Sequence, residues 1–182
     1  MRHLIYFLFF ILVAIACKTS KFTATPAQME ALENLIINKD FVIESNWAYP
    51  QSTNAMQQIA NTGILGPGNT AGSINLIGNS NFLKISGDSI MSYLPYYGER
   101  QMNVGYGGSD SAIQLKDIVH DYKVKTNKDN SYTITLNANS KTENFTVYLR
   151  VFPNLKSSIT FNSPSRFPIR YEGKIQEKIT TE

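Results

Sequence analysis

Few residues in this chain are equipped for covalent or metal chemistry. It holds one thiol, Cys17, and two imidazoles, His3 and His120. With no second thiol, a structural zinc site is short of ligands, and no metal site or cofactor is expected. Asp121 follows His120, but neighbours in a strand point to opposite faces, so it cannot orient that ring in a Ser-His-Asp arrangement. The carboxylates are dispersed singly. Glu99 and Asp110, across a glycine-rich stretch, come nearest to the paired carboxyls that glycoside hydrolysis needs. Gly105-Tyr106-Gly107-Gly108-Ser109-Asp110 lacks the strand-to-helix setting of a phosphate-binding loop. The sequence therefore reads as that of a protein that is not an enzyme.

What remains is an aromatic cluster, Tyr93, Tyr96, Tyr97 and Tyr106, with Arg100 among them and glycines on either side. Tyrosine presents a flat apolar face with a hydroxyl, and arginine stacks or grips a carboxylate. Tyr96, Tyr97, Arg100 and Tyr106 are thus candidate ligand-binding residues for a sugar, peptide or lipid fragment. The competing reading is a plug, with the segment folded over an open end of a β structure and closing its core. Alternation along a strand ending at Leu94 turns Leu94 inward and Tyr93 outward until Pro95 breaks the register, with Tyr97 and Arg100 the exposed members.

Cys17 has a different setting. Met1-Arg2-His3 is a basic start, and an unbroken apolar run over residues 4–16 ends in small residues just before the cysteine. That is a signal-peptide layout. A helix of that length reaches roughly 20 Å, short of the ~30 Å hydrocarbon core, so the run is not expected to span a membrane permanently. Ala14-Ile15-Ala16-Cys17 resembles the lipobox of bacterial lipoproteins, in which the cysteine thiol receives a diacylglycerol and becomes the first residue of the mature chain. The usual leucine is Ala14 here. The organisation expected is a signal peptide over 1–16, a lipidated Cys17 and tether over 17–24, one β-rich domain over 25–176, and a charged tail over 177–182. The body of the chain then has no thiol for a disulfide, and its stability must come from its core.

The formal net charge is +3. Once Arg2 leaves with the leader, basic and acidic residues nearly balance, and nucleic acid is not an expected partner.

The elements that must position these residues follow from periodicity. Thr25-Pro26-Ala27-Gln28 is a helix start, with Thr25 as N-cap, Pro26 at the first helical position and Gln28 placed for a capping box. Met29, Leu32, Leu35 and Ile36 fall on one face, predicting an amphipathic helix that ends near Asn38. After Asp40 the period becomes two. Residues 51–72 are rich in Asn, Gln, Gly and Ser, with a helical turn at 55–60. Strands are expected over 73–77, 82–86 and 89–94, with turns at Gly78-Asn79-Ser80 and Gly87-Asp88. Alternation resumes from Ile118 through Val124, from Tyr132 to Ala138 and from Phe145 to Val151, and a last pair occupies 157–161 and 169–171. The fold class expected is mainly β: an antiparallel β-sandwich or open barrel of about 8–10 strands with one N-terminal amphipathic helix.

Tyr93-Leu94-Pro95-Tyr96-Tyr97-Gly98, the strand-turn-strand Asn81 to Ser89 before it, and Asp121-Tyr122-Lys123-Val124, the strand from Tyr132 and the series Ser163, Arg166, Ile169, Tyr171, Gly173 after it carry a resemblance. Together they resemble the Bacteroidota lipoproteins of domain-of-unknown-function family 4251, over most of the chain from about Phe41 to Ile175. Two departures lie in expected loops: an insertion over 52–67, and Asn154-Leu155 where a turn glycine is expected. The resemblance implies a β domain in the cell envelope and carries over no catalytic residues. It also bears on location, because an acidic run after the lipid cysteine marks surface export in such bacteria. Lys18-Thr19-Ser20-Lys21 has none, so an outer-membrane lipoprotein on the periplasmic face is expected, with surface exposure the alternative.

The function expected is a non-catalytic, lipid-anchored envelope module. It is held to the membrane through acylated Cys17 and binds a small ligand, a glycan or an envelope protein. The rival readings are an envelope hydrolase with a carboxylate-based site and a purely structural lipoprotein.

Overall fold

The computed structural model of the chain describes residues 24–101 and 111–178. Cys17, Tyr106 and Asp110 lie outside these.

Helix α1 (Pro26–Asn38) begins as its first turn dictates. Thr25 Oγ1 accepts the Gln28 N–H at 3.2 Å, and Gln28 Oε1 accepts the Thr25 N–H at 3.0 Å. Two orphan donors of the first turn are satisfied reciprocally. Leu32 and Ile36 are its buried residues, and it ends at Lys39, which takes a left-handed φ of 50°. That reversal feeds the chain into β1 (Asp40–Pro50).

The remaining strands are β2 (Ile74–Asn75), β3 (Phe82–Ser86), β4 (Ser89–Leu94), β5 (Ile113–Ile118), β6 (His120–Thr126), β7 (Tyr132–Asn139), β8 (Asn144–Val151), β9 (Lys156–Ser163) and β10 (Arg166–Gln176). A second helix, α2 (Asn54–Asn61), stands where the sequence indicated only a turn; Thr53 Oγ1 caps it by accepting the Met56 N–H. All ten strands belong to one antiparallel sheet in the order β5-β4-β3-β1-β10-β9-β8-β7-β6, with β2 beside β1. β5 and β6, at the two ends of that order, are separated in the chain only by Val119, so the sheet bends round into a nearly closed barrel. The choice between sandwich and barrel is thereby decided for the barrel. β5 is a strand beyond those expected from periodicity; in it the buried Ile113 and Leu115 alternate with the exposed Gln114 and Lys116.

The interior is aliphatic and aromatic. Phe41, Ile43, Leu83, Ile85, Ile90, Leu94, Ile134, Leu136, Val147 and Leu149 are all fully buried. Phe145, Phe161 and Tyr171 pack edge to face, with successive ring centroids 5.9 and 6.0 Å apart. Each large side chain so buried contributes about 1.5–3 kcal/mol.

β1 carries a bulge between Ser45 and Trp47 that shifts its register on β10. The bulge turns Ser45 and Ala48 inward and leaves Trp47 half-buried. It also brings the β1 backbone onto Gly173, where a Cβ would overlap the Glu44 carbonyl oxygen and stand 2.6 Å from Ser45 Cα. Only glycine fits there. On the other edge of the bulge, Asn81 replaces a strand neighbour. Its Oδ1 accepts the Ser45 N–H and its Nδ2 donates to the Ser45 carbonyl, both at 2.9 Å. The turn before β9 lacks the expected glycine, and Leu155 itself takes the positive φ, 62°.

Candidate functional site

Beyond β4 the chain leaves the sheet and crosses one mouth of the barrel as a strap over residues 95–101. Its hold on the β9–β10 hairpin is partly backbone: Arg100 bridges to Arg166, the Gln101 N–H donates to the Ser165 carbonyl at 2.9 Å, and the Phe167 N–H donates to the Glu99 carbonyl at 3.2 Å. Side chains complete the latch. The Tyr96 hydroxyl lies 2.9 Å from the Glu99 carbonyl and 3.0 Å from that of Phe167, and the Tyr171 hydroxyl donates to the Pro95 carbonyl at 2.9 Å.

Beneath the strap lies a buried ion pair. Arg166 Nε donates to Glu143 Oε2 at 2.6 Å, and each side chain is 7% exposed. Arg166 Nη1 donates to the Ser111 carbonyl at 2.6 Å, and its guanidinium carbon sits 4.9 Å from the Tyr96 ring centroid. A second guanidinium, that of Arg100, reaches Glu143 Oε1 at 4.0 Å. Arginine suits this position because its planar fork divides donors between carboxylate and carbonyl while its face stacks on an aromatic ring. Burial pushes the Tyr96 and Tyr171 hydroxyls above the usual tyrosine range, against the lowering pull of Arg166.

This geometry accounts for the spacing in Tyr93-Leu94-Pro95-Tyr96-Tyr97-Gly98. Leu94 is fully buried and ends β4 pointing inward, and Tyr93 is 38% exposed on the outer face, as alternation requires. Pro95 offers the carbonyl that Tyr171 takes. Gly98 lies against the hydroxyl end of Tyr96, and a Cβ there would meet Tyr96 Oη at 2.6 Å and Cζ at 2.8 Å. The absent side chain is what lets the Tyr96 ring lie down.

Of the candidate ligand-binding residues, the structure brings together Tyr96, Tyr97 and Arg100. Tyr96 is buried, Tyr97 is half-buried against the core, and the Arg100 side chain is 18% exposed. Tyr97 and Arg100, the members expected to be exposed, are drawn in because the strap turns back onto the hairpin and lays Arg100 towards Glu143. Glu143 and Arg166 were not singled out by charge chemistry in the sequence. An isolated arginine at the head of an alternating strand was the one available signal.

His120 is an exposed strand residue, as expected, with Nε2 3.8 Å from Asp117 Oδ2. Asp117 is held below the usual carboxylate range chiefly by the Asn139 and Ile118 backbone N–H groups. Among the described residues no group of three or more His, Cys, Asp or Glu is placed to hold a metal ion, and no helix is long and apolar enough to cross a membrane.

A nearly closed antiparallel barrel with a side-chain-filled interior and a latched mouth defines the class of protein. The chain belongs to the DUF4251 family, a domain of unknown function whose family model matches residues 24–175. It is similar in fold to the crystal structure of a DUF4251 family protein from Bacteroides eggerthii DSM 20697, at 12% sequence identity and a TM-score of 0.56, over 83% of this chain and 88% of that one. No curated protein matches the sequence.

Proposed function

We propose that this protein is a non-catalytic module of the cell envelope, tethered to the outer membrane by lipid on Cys17 and facing the periplasm, that works by binding at its outer surface. The filled barrel and its latched mouth carry this reading. At the mouth, the groups with most chemical capacity, Glu143 and Arg166, are spent on each other beneath Tyr96, 2.6 Å apart. A carboxylate held in a buried ion pair under a ring is poorly placed as a general acid or base. The barrel then serves as a rigid scaffold, and the ligand is a small molecule, a glycan or another envelope protein.

The anchor supports the same reading. The apolar run before Cys17 and the basic, polar stretch after it suit a lipid attachment followed by a short tether into the capping box of α1. Acyl chains add about 0.8 kcal/mol per buried CH₂, and two or more hold a protein firmly. Detergent phase partitioning tests this: the parent is expected in the detergent phase, and Cys17→Ala in the aqueous phase or as uncleaved precursor. A Cys17→Ala protein processed and partitioned like the parent would overturn it.

A further inference from the structure

At the end of the barrel where β7 turns into β8, the outer face of β7–β9 is polar and uncharged, whereas Arg150 stands further along β8. Asn137, Thr146 and Asn162 form one cross-strand row, in register from β7 through β8 to β9. Together with Asn139 and Asn144 they line a recess of about 340 Å³, completed by Phe145 and Pro164. The lining holds four carboxamides and a hydroxyl and no ionisable side chain. From this we infer that the recess is a carbohydrate-binding site, taking a neutral oligosaccharide laid along β8; the inference rests on the binding-module reading above and names its ligand class.

Part of the site is held in place from the neighbouring strand β6. Asp121 takes a left-handed φ of 53° at the register shift of β6, and its Oδ2 accepts the Asn137 amide at 3.0 Å. Asn137 Oδ1 in turn accepts the Thr146 hydroxyl at 3.0 Å. With its proton committed, Thr146 Oγ1 is left as an acceptor. A bulge that re-aims a side chain and a chain of oriented polar groups are devices that pre-organise a binding surface. Asn144 and Asn162, by contrast, make no side-chain hydrogen bond among the described residues, so their carboxamides are free both to donate and to accept.

The chemistry selects the ligand. Sugar hydroxyls both donate and accept, as carboxamides do, and each can be matched in the same recess. An apolar ligand would strip water from the amides and return no hydrogen bonds. An anion would find no cation in the lining, and on the β6 flank the carboxylates of Asp121 and Asp117 stand beside His120. Two residues along β8, on the same face, Tyr148 is 44% exposed between Thr135 and Thr160. It stands about 7 Å from Thr146, so a ligand seated in the recess and extended along the strand would meet an aromatic face.

Titration calorimetry of the full-length, detergent-solubilised protein with cellohexaose, maltohexaose and tetra-N-acetylchitotetraose tests this, with polygalacturonate as the anionic comparison. Saturable binding of at least one neutral oligosaccharide is expected, weakened about tenfold or more by Asn144→Ala and by Asn162→Ala at unchanged melting temperature. Tyr148→Ala should weaken binding of the long oligosaccharide more than that of its disaccharide. Binding of none of the three, preference for polygalacturonate, or binding indifferent to all three substitutions would overturn the site. Phase partitioning of the same preparations keeps the outcomes separate: a detergent-phase protein that binds no oligosaccharide overturns this inference alone.

Discussion

Arg166 and Glu143 meet 2.6 Å apart at the barrel mouth, one from the start of β10 and the other from the turn before β8, and both are nearly sealed from solvent. Taking two charges out of water is costly, and the pair is tolerated because Arg166 also bonds the Ser111 carbonyl and stacks on Tyr96. Removing Glu143 leaves the buried Arg166 guanidinium without a carboxylate, and removing Arg166 leaves Glu143 only the 4.0 Å contact with Arg100. Arg166→Ala and Glu143→Ala are each expected to cost about 3–5 kcal/mol in urea unfolding. The double variant Arg166→Met/Glu143→Leu is expected to recover part of that loss, because it removes both fully buried charges and leaves only Arg100, at 18% exposure, without its carboxylate. Additive losses in the double variant would show that the two side chains do not act as a pair.

Gly98→Ala tests the latch through the Tyr96 ring. The new methyl lies where the Tyr96 hydroxyl end now sits, and a displaced ring gives up its bonds to the Glu99 and Phe167 carbonyls. A loss of about 1–3 kcal/mol is expected, the range for an overfilled packed site. Tyr96→Phe, which loses only the hydroxyl, is expected to cost about 1 kcal/mol. Once Tyr96 is phenylalanine, Gly98→Ala should cost less than in the parent, and a double-variant cycle on denaturant midpoints reads that coupling.

Tyr122, on β6, has a buried hydroxyl with no hydrogen-bond partner among the described residues, and burial pushes its pKa up to about 12. Lys39 lies 4.8 Å from its ring centroid and touches the face, not the hydroxyl. Tyr122→Phe is therefore expected to be neutral or to stabilise by up to about 1 kcal/mol at neutral pH. The pH dependence has a definite sign. A tyrosine raised in the folded state contributes fully below pH 10, and that contribution is lost as pH rises from 10 towards 12, because the unfolded chain releases the proton first. Tyr96 and Tyr171 are raised too, so the denaturant midpoint should fall above pH 10, and more gently in Tyr122→Phe than in the parent.

Much of the fold can be read from local chemistry. The capping residues Thr25 and Gln28 mark where α1 begins, and Gly87, at a φ of 58°, sits in the turn that joins β3 to β4 over the expected residues. Local chemistry fails where the decision is made far away in the chain. The bulge at Ser45 depends on Gly173 and Asn81, and nothing near Trp47 announces that the alternation will change phase there. The strap is half legible. Pro95 ends the strand as expected, but whether Tyr97 and Arg100 face water depends on a hairpin more than sixty residues later in the chain. Glu143 sits in a polar turn that reads as solvated, and only the fold sets Arg166 against it.

The intact mass of the protein purified from membranes tests the account most directly. The predicted species begins at Cys17, lacks residues 1–16, and carries a diacylglyceryl group on that cysteine, with or without a further acyl chain on its amino group. A mature chain with an unmodified Cys17, or one that keeps residues 1–16, would contradict the lipid anchor on which the proposed role depends.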